Sequence, residues 1–388
     1  MRLPPKQVPE LKQLCIIDYL SFTWCPAEIE PLRRLAQSGR FVDPESEEGK
    51  PVKNMAQFIK YRESVGDPLD LHQLEYAALD ELKTFFMSVG KDIFANCEYS
   101  TADLWEDHFQ LIERAGGVFG YRRAFDLVLD GHIIGLAASG GQQGSCYVSV
   151  TGGGCRLLDF NSVHRILRSL PLVKLTRVDV ALDDFAGVTG GYDAAEQAFL
   201  DDQFVTRGKP PQCDRNGSGG VKKAGTREIE YTKGRTFYVG SRAGGKLYRG
   251  YEKGKQGGDT ESLWFRHEVE LRSSNREIPL HILTKPDQYF AGFYPWSAHV
   301  LELVAEADAA TVPEAVTVPI RKRDTQSVKM AAVAQYNRSV ENARRVVGGV
   351  INVMRKARGL SDEQIIDQLI RDAVPRSMHR VAVPGLMQ

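Results

Sequence analysis

The chain has 388 residues, with 50 Lys+Arg balancing 50 Asp+Glu, and is 42% hydrophobic and 26% charged. That much apolar mass excludes global disorder and can fill the core of two domains, or of one large domain with an appendage. No run nears the roughly 18 apolar residues of a membrane span, and the opening MRLPPKQVPELKQ has no apolar h-region, so a cytoplasmic protein without membrane contact is expected.

The zero net charge hides a gradient. Residues 1–110 hold 12 bases and 19 acids, net −7; residues 206–257 hold 13 and 4, net +9; residues 321–388 hold 13 and 6, net +7. A basic stretch alone is often a solvated face. Two of them, one interleaved with Tyr231, Phe237, Tyr238, Tyr248 and Tyr251, point to a nucleic acid. The six cysteines are scattered without a CxxC pair or nearby histidine, which argues against a disulfide framework or zinc module.

In chain order, residues 14–24 (LCIIDYLSFTW) read as a strand rich in β-branched and aromatic residues. Residues 43–51 form a polar loop, and 54–114 carry helical spacing, forming an acidic helical insertion. Residues 119–158 read as strands with a hairpin turn at Gly140-Gly141, followed by a helix, NSVHRILRSL, capped by Asn161 or Ser162 and stopped by Pro171. LTRVDVALDD (175–184) is a strand, 192–204 a helix, and 208–227 a Gly/Lys-rich loop. TFYVGS and KLYRGYEK flank a second Gly-Gly turn at 244–245, and LWFRHEVELR (263–272) is a further strand. Residues 325–358 read as a helix, and Ser361 opens another with a capping box to Gln364. The expectation is an α+β fold: an antiparallel sheet flanked by helices over 1–305, with a basic helical C-terminal module over 321–388.

Alternation along three strands gathers chemistry on one sheet face. Arg177, Asp179, Ala181 and Asp183 share a side, as do Trp264, Arg266, Glu268, Glu270 and Arg272, and Arg249, Tyr251 and Lys253 align on the third strand. His267 falls on the apolar side, as a core histidine would. A wet face of cross-strand ion pairs has the same pattern on any one strand; the mixture on three strands favours a site. Carboxylates without clustered histidine or thiolate suit a hard cation, Mg²⁺ or Mn²⁺. A tyrosine among cations can attack phosphorus once its phenol, pKa about 10 when free, is helped to ionise.

The series DYLSFTW, SVTGGGCRLL, RVDVALDD, TFYVGSRAGGKLYRGYEKGKQ and FRHEVELR resembles the replication initiation factor (Rep_trans) family, rolling-circle initiators of small plasmids and filamentous phages. The resemblance runs from about residue 14 to 300, and the TFYVGSR…RGYEK block is its most specific part. It implies nicking of one origin strand through a covalent 5′-phosphotyrosine, with a host helicase as partner. Carried over, Tyr251 matches the nucleophile with Tyr248 as rival, Arg249 and Lys253 the basic positions around it, and Asp179, Asp183 and Glu268 the acidic strand positions, with Glu270 as a further candidate ligand.

Lys222, Lys223, Arg242, Trp264 and Arg266 are expected to contact single- or double-stranded origin DNA, with bases stacked on Trp264 or Tyr238. Asp18 reads equally well as a core acceptor or a metal ligand. The tail could bind DNA, pair two copies or simply pack. A non-catalytic origin-binding protein and a nuclease using metal-activated water are the competing readings.

Overall fold

The computed structural model describes residues 13–320, apart from 47, 99–100, 142–143, 222–224 and 226–228, together with 361 and 364. The chain opens with β1 (Cys15–Trp24), α1 (Glu30–Ala36), α2 (Met55–Ser64), α3 (Leu71–Ile93) and α4 (Ala102–His108). Then come β2 (Phe109–Glu113), β3 (Tyr121–Leu129), β4 (His132–Gly141), β5 (Cys146–Val150), α5 (Gly152–Cys155) and α6 (Phe160–Ser169). β6 (Lys174–Asp184), α7 (Gly191–Leu200), β7 (Cys213–Gly217), β8 (Gly220–Val221) and β9 (Ile229–Glu230) follow. The last elements are β10 (Arg235–Ser241), β11 (Lys246–Glu252), α8 (Lys253–Gln256), β12 (Phe265–Arg272), α9 (Pro286–Ala291) and α10 (Pro295–Ala307).

Ten strands join in one sheet in the order β2-β3-β4-β5-β1-β6-β12-β11-β10-β7, each antiparallel to its neighbours; β8 and β9 pair separately. The fold is α+β. Period-2 alternation sends Val178, Val180 and Leu182 of β6, Phe265, Val269 and Leu271 of β12, and Leu20 and Phe22 of β1 to one side. There they meet α3, α6, α7, α9 and α10 in one continuous hydrophobic cluster. Each large apolar side chain buried in this way contributes about 1.5–3 kcal/mol. α3 shows how the sequence builds this layer. The Asp70 side chain accepts from the His72 and Gln73 amides at its start, and Ala78, Leu82, Phe85, Phe86 and Ile93 recur on its buried face. At Gly90 the Trp105 ring comes so close that a Cβ would stand 2.4 Å from it.

Several local expectations change. The 54–114 stretch is helical only to His108, and Phe109–Glu113 forms the sheet's outermost strand on that side. Residues 125–139 hold two strands, because Asp130 and Gly131 both take positive φ (49° and 75°), the tight hairpin turn that Asp-Gly favours. Gly140 and Gly141 instead end β4. The cap of α6 is Asp159, which accepts from the Asn161 and Ser162 amides; those two residues were the expected caps. Part of the 208–227 loop is strand β7, paired with β10.

The six cysteines are free thiols, five of them buried. No helix among the described residues is long and apolar enough to cross a membrane. The chain divides into two units, Met1–Arg321 and Lys322–Gln388. In the second, the Ser361 amide bonds Gln364 Oε1 at 3.0 Å and the Gln364 amide bonds Ser361 Oγ at 3.4 Å, the expected capping box; the expected helix at 325–358 lies outside the described residues.

Candidate active site

The face of the sheet opposite the helical layer carries the charged residues. Register sets them side by side: Tyr251 stands opposite Arg266, Arg249 opposite Glu268, and Leu247 opposite Glu270 on β11 and β12. On the next pair Arg266 faces Asp183, Glu268 faces Ala181, and Glu270 faces Asp179. The small Ala181 beside Glu268 leaves room for groups from neighbouring rows to converge. This face is not wet: Asp179, Arg266, Glu268 and Glu270 are all buried, at 1–4% exposure.

Tyr251 lies at the centre, 8% exposed, and its hydroxyl donates to Glu268 Oε2 at 3.2 Å. Burial, then the Glu268 charge, push its phenol well above the usual tyrosine range, so in this environment it stays protonated. Lys253 begins α8, its Nζ 5.5 Å from the centre of the Tyr251 ring. Arg249 Nη2 bonds Asp179 Oδ2 at 2.9 Å and also Glu268 Oε1, while its Nε is buried without an acceptor. Glu268 is pushed up to about 7, chiefly by burial, with Arg249 opposing and the Asp179 and Asp18 carboxylates adding to the rise.

Tyr248, the rival nucleophile, is excluded from this face. It is fully buried on the helical side, where its hydroxyl bonds His267 Nδ1 at 2.7 Å and accepts from Trp296 Nε1 at 3.2 Å. His267 bonds Thr189 Oγ1 at 3.0 Å through its other nitrogen and is a core histidine, as read from the strand pattern.

Arg266, expected to touch DNA, is 1% exposed and braces the acids instead. It reaches Asp183 through two bonds of 2.7 and 2.6 Å and Asp18 at 2.9 Å. Asp18 gets there because β1 bulges between Ile17 and Tyr19, which breaks the alternation that would have grouped it with Leu20 and Phe22. Trp264 Nε1 also donates to Asp183, at 2.7 Å. Arg242 is 57% exposed at the side chain and lies 3.4 Å from Glu270. Lys222 and Lys223 lie outside the described residues.

The expected ligands are all engaged by arginines. Asp183 is held by both arms of Arg266, and Glu270 has Arg272, Arg177, Arg242 and Arg249 within 2.5–3.7 Å. These two acids anchor arginines. Asp179 is likewise held by Arg177 and Arg249, and Glu268, the acid bonded to the phenol, also takes Arg249; the Asp179 and Asp18 charges add to the burial that lifts Glu268. No group of three acidic, histidine or cysteine side chains among the described residues is assembled to hold a metal ion. The acids supply only oxygen donors, the type a hard divalent cation takes. Arg249 stands between Asp179 and Glu268 with its Nε–H unpaired, a donor that suits an anion such as a phosphate.

Strand alternation placed Arg177 on this face without a role; its guanidinium bonds Asp179 Oδ1 at 2.8 Å and lies 4.1 Å over the Tyr19 ring. Sequence reasoning missed Phe185, next to the acidic pair and 67% exposed.

Sheet and site together define an α+β protein with a phenol set among arginines and carboxylates, groups suited to handling a phosphoryl group. The chain belongs to the replication initiation factor family, whose model matches residues 173–370, just over half of its length. Among solved structures, it is similar to a rolling-circle replication initiator protein from Geobacillus stearothermophilus, at 19% identity and a TM-score of 0.40, over 80% of this chain and 88% of that one. A search of curated proteins finds no match.

Proposed function

We propose that this protein starts rolling-circle replication by nicking one origin strand through Tyr251 and later rejoining it. The observation that carries the reading is the Tyr251 hydroxyl, 3.2 Å from a carboxylate that titrates near neutrality and two strand positions from Arg249. In the step proposed, the phenol gives its proton to Glu268 and its oxygen attacks the scissile phosphorus. A Tyr–O–P bond forms, the P–O3′ bond breaks, and the 3′ oxygen leaves as a hydroxyl after taking a proton from solvent.

The bond energy is conserved in the phosphotyrosine, and attack by a 3′ hydroxyl reverses the step. Arg249 and Lys253 would steady the phosphate oxygens. A Mg²⁺ or Mn²⁺ ion, held by Asp179 with Asp18 while Glu268 takes the proton, would polarise the phosphodiester. A host helicase extending the opened duplex from the nick completes the proposal.

The test is incubation with supercoiled origin DNA and Mg²⁺, followed by electrophoresis in SDS. Tyr251→Phe should abolish both open circles and protein–DNA bands while origin binding persists. Asp179→Asn should shift the Mg²⁺ dependence of nicking to higher concentration. Nicking at full rate by Tyr251→Phe would remove the assignment, and origin binding without cleavage by the wild type would favour a non-catalytic initiator.

A further inference from the structure

Beside the site lies an apolar patch that the fold does not use. Phe185 and Leu263 are each 67% exposed and Val188 is 42% exposed. Phe185 follows the end of β6 and Trp264 precedes β12, two adjacent strands, and their rings sit 5.0 Å apart with planes tilted by 37°. Leu263 packs against the Gly187 turn, where a Cβ would stand 3.3 Å from its own Cβ. Large exposed apolar side chains gathered in this way mark a contact surface more often than chance.

The position of the patch identifies its occupant. Trp264 is fixed by its 2.7 Å bond to Asp183, the acid that Arg266 grips, and Arg266 stands opposite Tyr251 in the strand register. The Arg266 guanidinium also lies 5.9 Å from the centre of the Trp264 ring. The patch also adjoins a cation outside that buried pair: the Gly254 amide bonds the Trp264 carbonyl at 3.2 Å, which brings half-buried Lys253 at the start of α8 beside it, so its ligand must offer negative charge on one side and flat apolar surface on the other. A nucleotide strand does so at every residue, with a phosphate for Lys253 and base faces for the rings.

We propose that Phe185 and Trp264, flanked by Leu263 and Val188, form a stacking platform for an unpaired base next to the scissile phosphate. The platform holds single-stranded DNA without reading its sequence, because every base has an aromatic face. This rests on the proposed function, in which a DNA strand crosses the Tyr251 face, and the test separates the two.

The chain supplies its own probe. Of its four tryptophans, Trp24, Trp105 and Trp296 are buried at 0–5% exposure and only Trp264 is partly exposed, so quenching of tryptophan fluorescence by a bound strand reports on the platform. A fluorescein-labelled oligothymidine is titrated with the full chain, with anisotropy reporting binding and, in a parallel unlabelled titration, tryptophan emission reporting stacking. The expected result is binding with quenching. Phe185→Ala should weaken binding roughly fivefold to a hundredfold and leave the slope of affinity against salt unchanged, since no ionic contact is lost.

Phe185→Leu, which keeps apolar area without an aromatic face, should bind almost as weakly; a Leu variant that binds like wild type would overturn stacking in favour of plain apolar contact. Binding with no quenching and no effect of Phe185→Ala would overturn the platform and leave the strand reading standing. No binding at all would remove both. A concentration-dependent dimer of the free protein that Phe185→Ala abolishes would assign the patch to a second copy of the chain and overturn the proposal.

Discussion

Replacing Glu268 with Gln separates the electrostatics of the site from its packing. Glu268 is 4% exposed and its carboxyl is pushed up from 4.5 to about 7, first by burial and then by Asp179 and Asp18, against the pull of Arg249. Between those two pH values the folded chain keeps this proton and the unfolded chain has lost it, so the group's contribution to stability falls as pH rises through the window. Each pH unit that separates the folded from the unfolded titration is worth about 1.4 kcal/mol, which sets an upper bound of roughly 3 kcal/mol at pH 8.

Gln has the shape of the protonated acid and no charge to desolvate. Glu268→Gln should therefore match the wild type in stability near pH 5 and be more stable by about 1–3 kcal/mol at pH 8. Urea denaturation followed by circular dichroism at both pH values measures the difference. Nicking should move the opposite way, falling by about 10²–10⁴-fold with loss of the proton acceptor, and the rising limb of the pH–rate profile near pH 7 should vanish. A stability gap that does not widen between pH 5 and pH 8 would refute the burial argument, and an unchanged pH–rate profile would refute Glu268 as the acceptor.

Removing Arg266 should have the largest structural effect on this face. Arg266→Met strands Asp18 and Asp183 and should cost about 3–5 kcal/mol, read as a fall in thermal or urea stability; a loss below about 1 kcal/mol would contradict its bracing role. On the other side of the sheet, burial pushes the His267 imidazole down from 6.5 to about 3. The folded chain keeps it neutral where the unfolded chain takes up a proton, so its stabilising effect is complete above pH 6.5 and is lost as pH falls towards 3. His267→Gln should make urea midpoints less sensitive to pH between 6.5 and 4, and a variant as acid-sensitive as the wild type would contradict this.

The part of the site legible in the sequence was the part governed by strand alternation. FRHEVELR and RVDVALDD each separate an apolar face from a charged one by period 2, and the fold keeps both separations, including the inward turn of His267. Pairing was not legible, because it depends on register between strands far apart in the chain, 83 residues for Arg266 and Asp183. Hence Arg266, read as a DNA contact, is found buried against Asp183 and Asp18, and Asp179, Asp183, Glu268 and Glu270, read as metal ligands, are each bonded by an arginine. Asp18 stayed ambiguous because its direction is set by a bulge, which alternation cannot foresee. The Asp130-Gly131 turn carried a readable hairpin signal that the longer apolar run around it obscured.

The most direct measurement is to trap the protein on a single-stranded origin oligonucleotide, digest it and sequence the nucleotide-bearing peptide by mass spectrometry. A 5′-phosphonucleotide is expected on Tyr251, in the segment Leu247–Lys253. Attachment at Tyr248, or cleavage that releases a free 5′ phosphate with no adduct at all, would contradict the assignment.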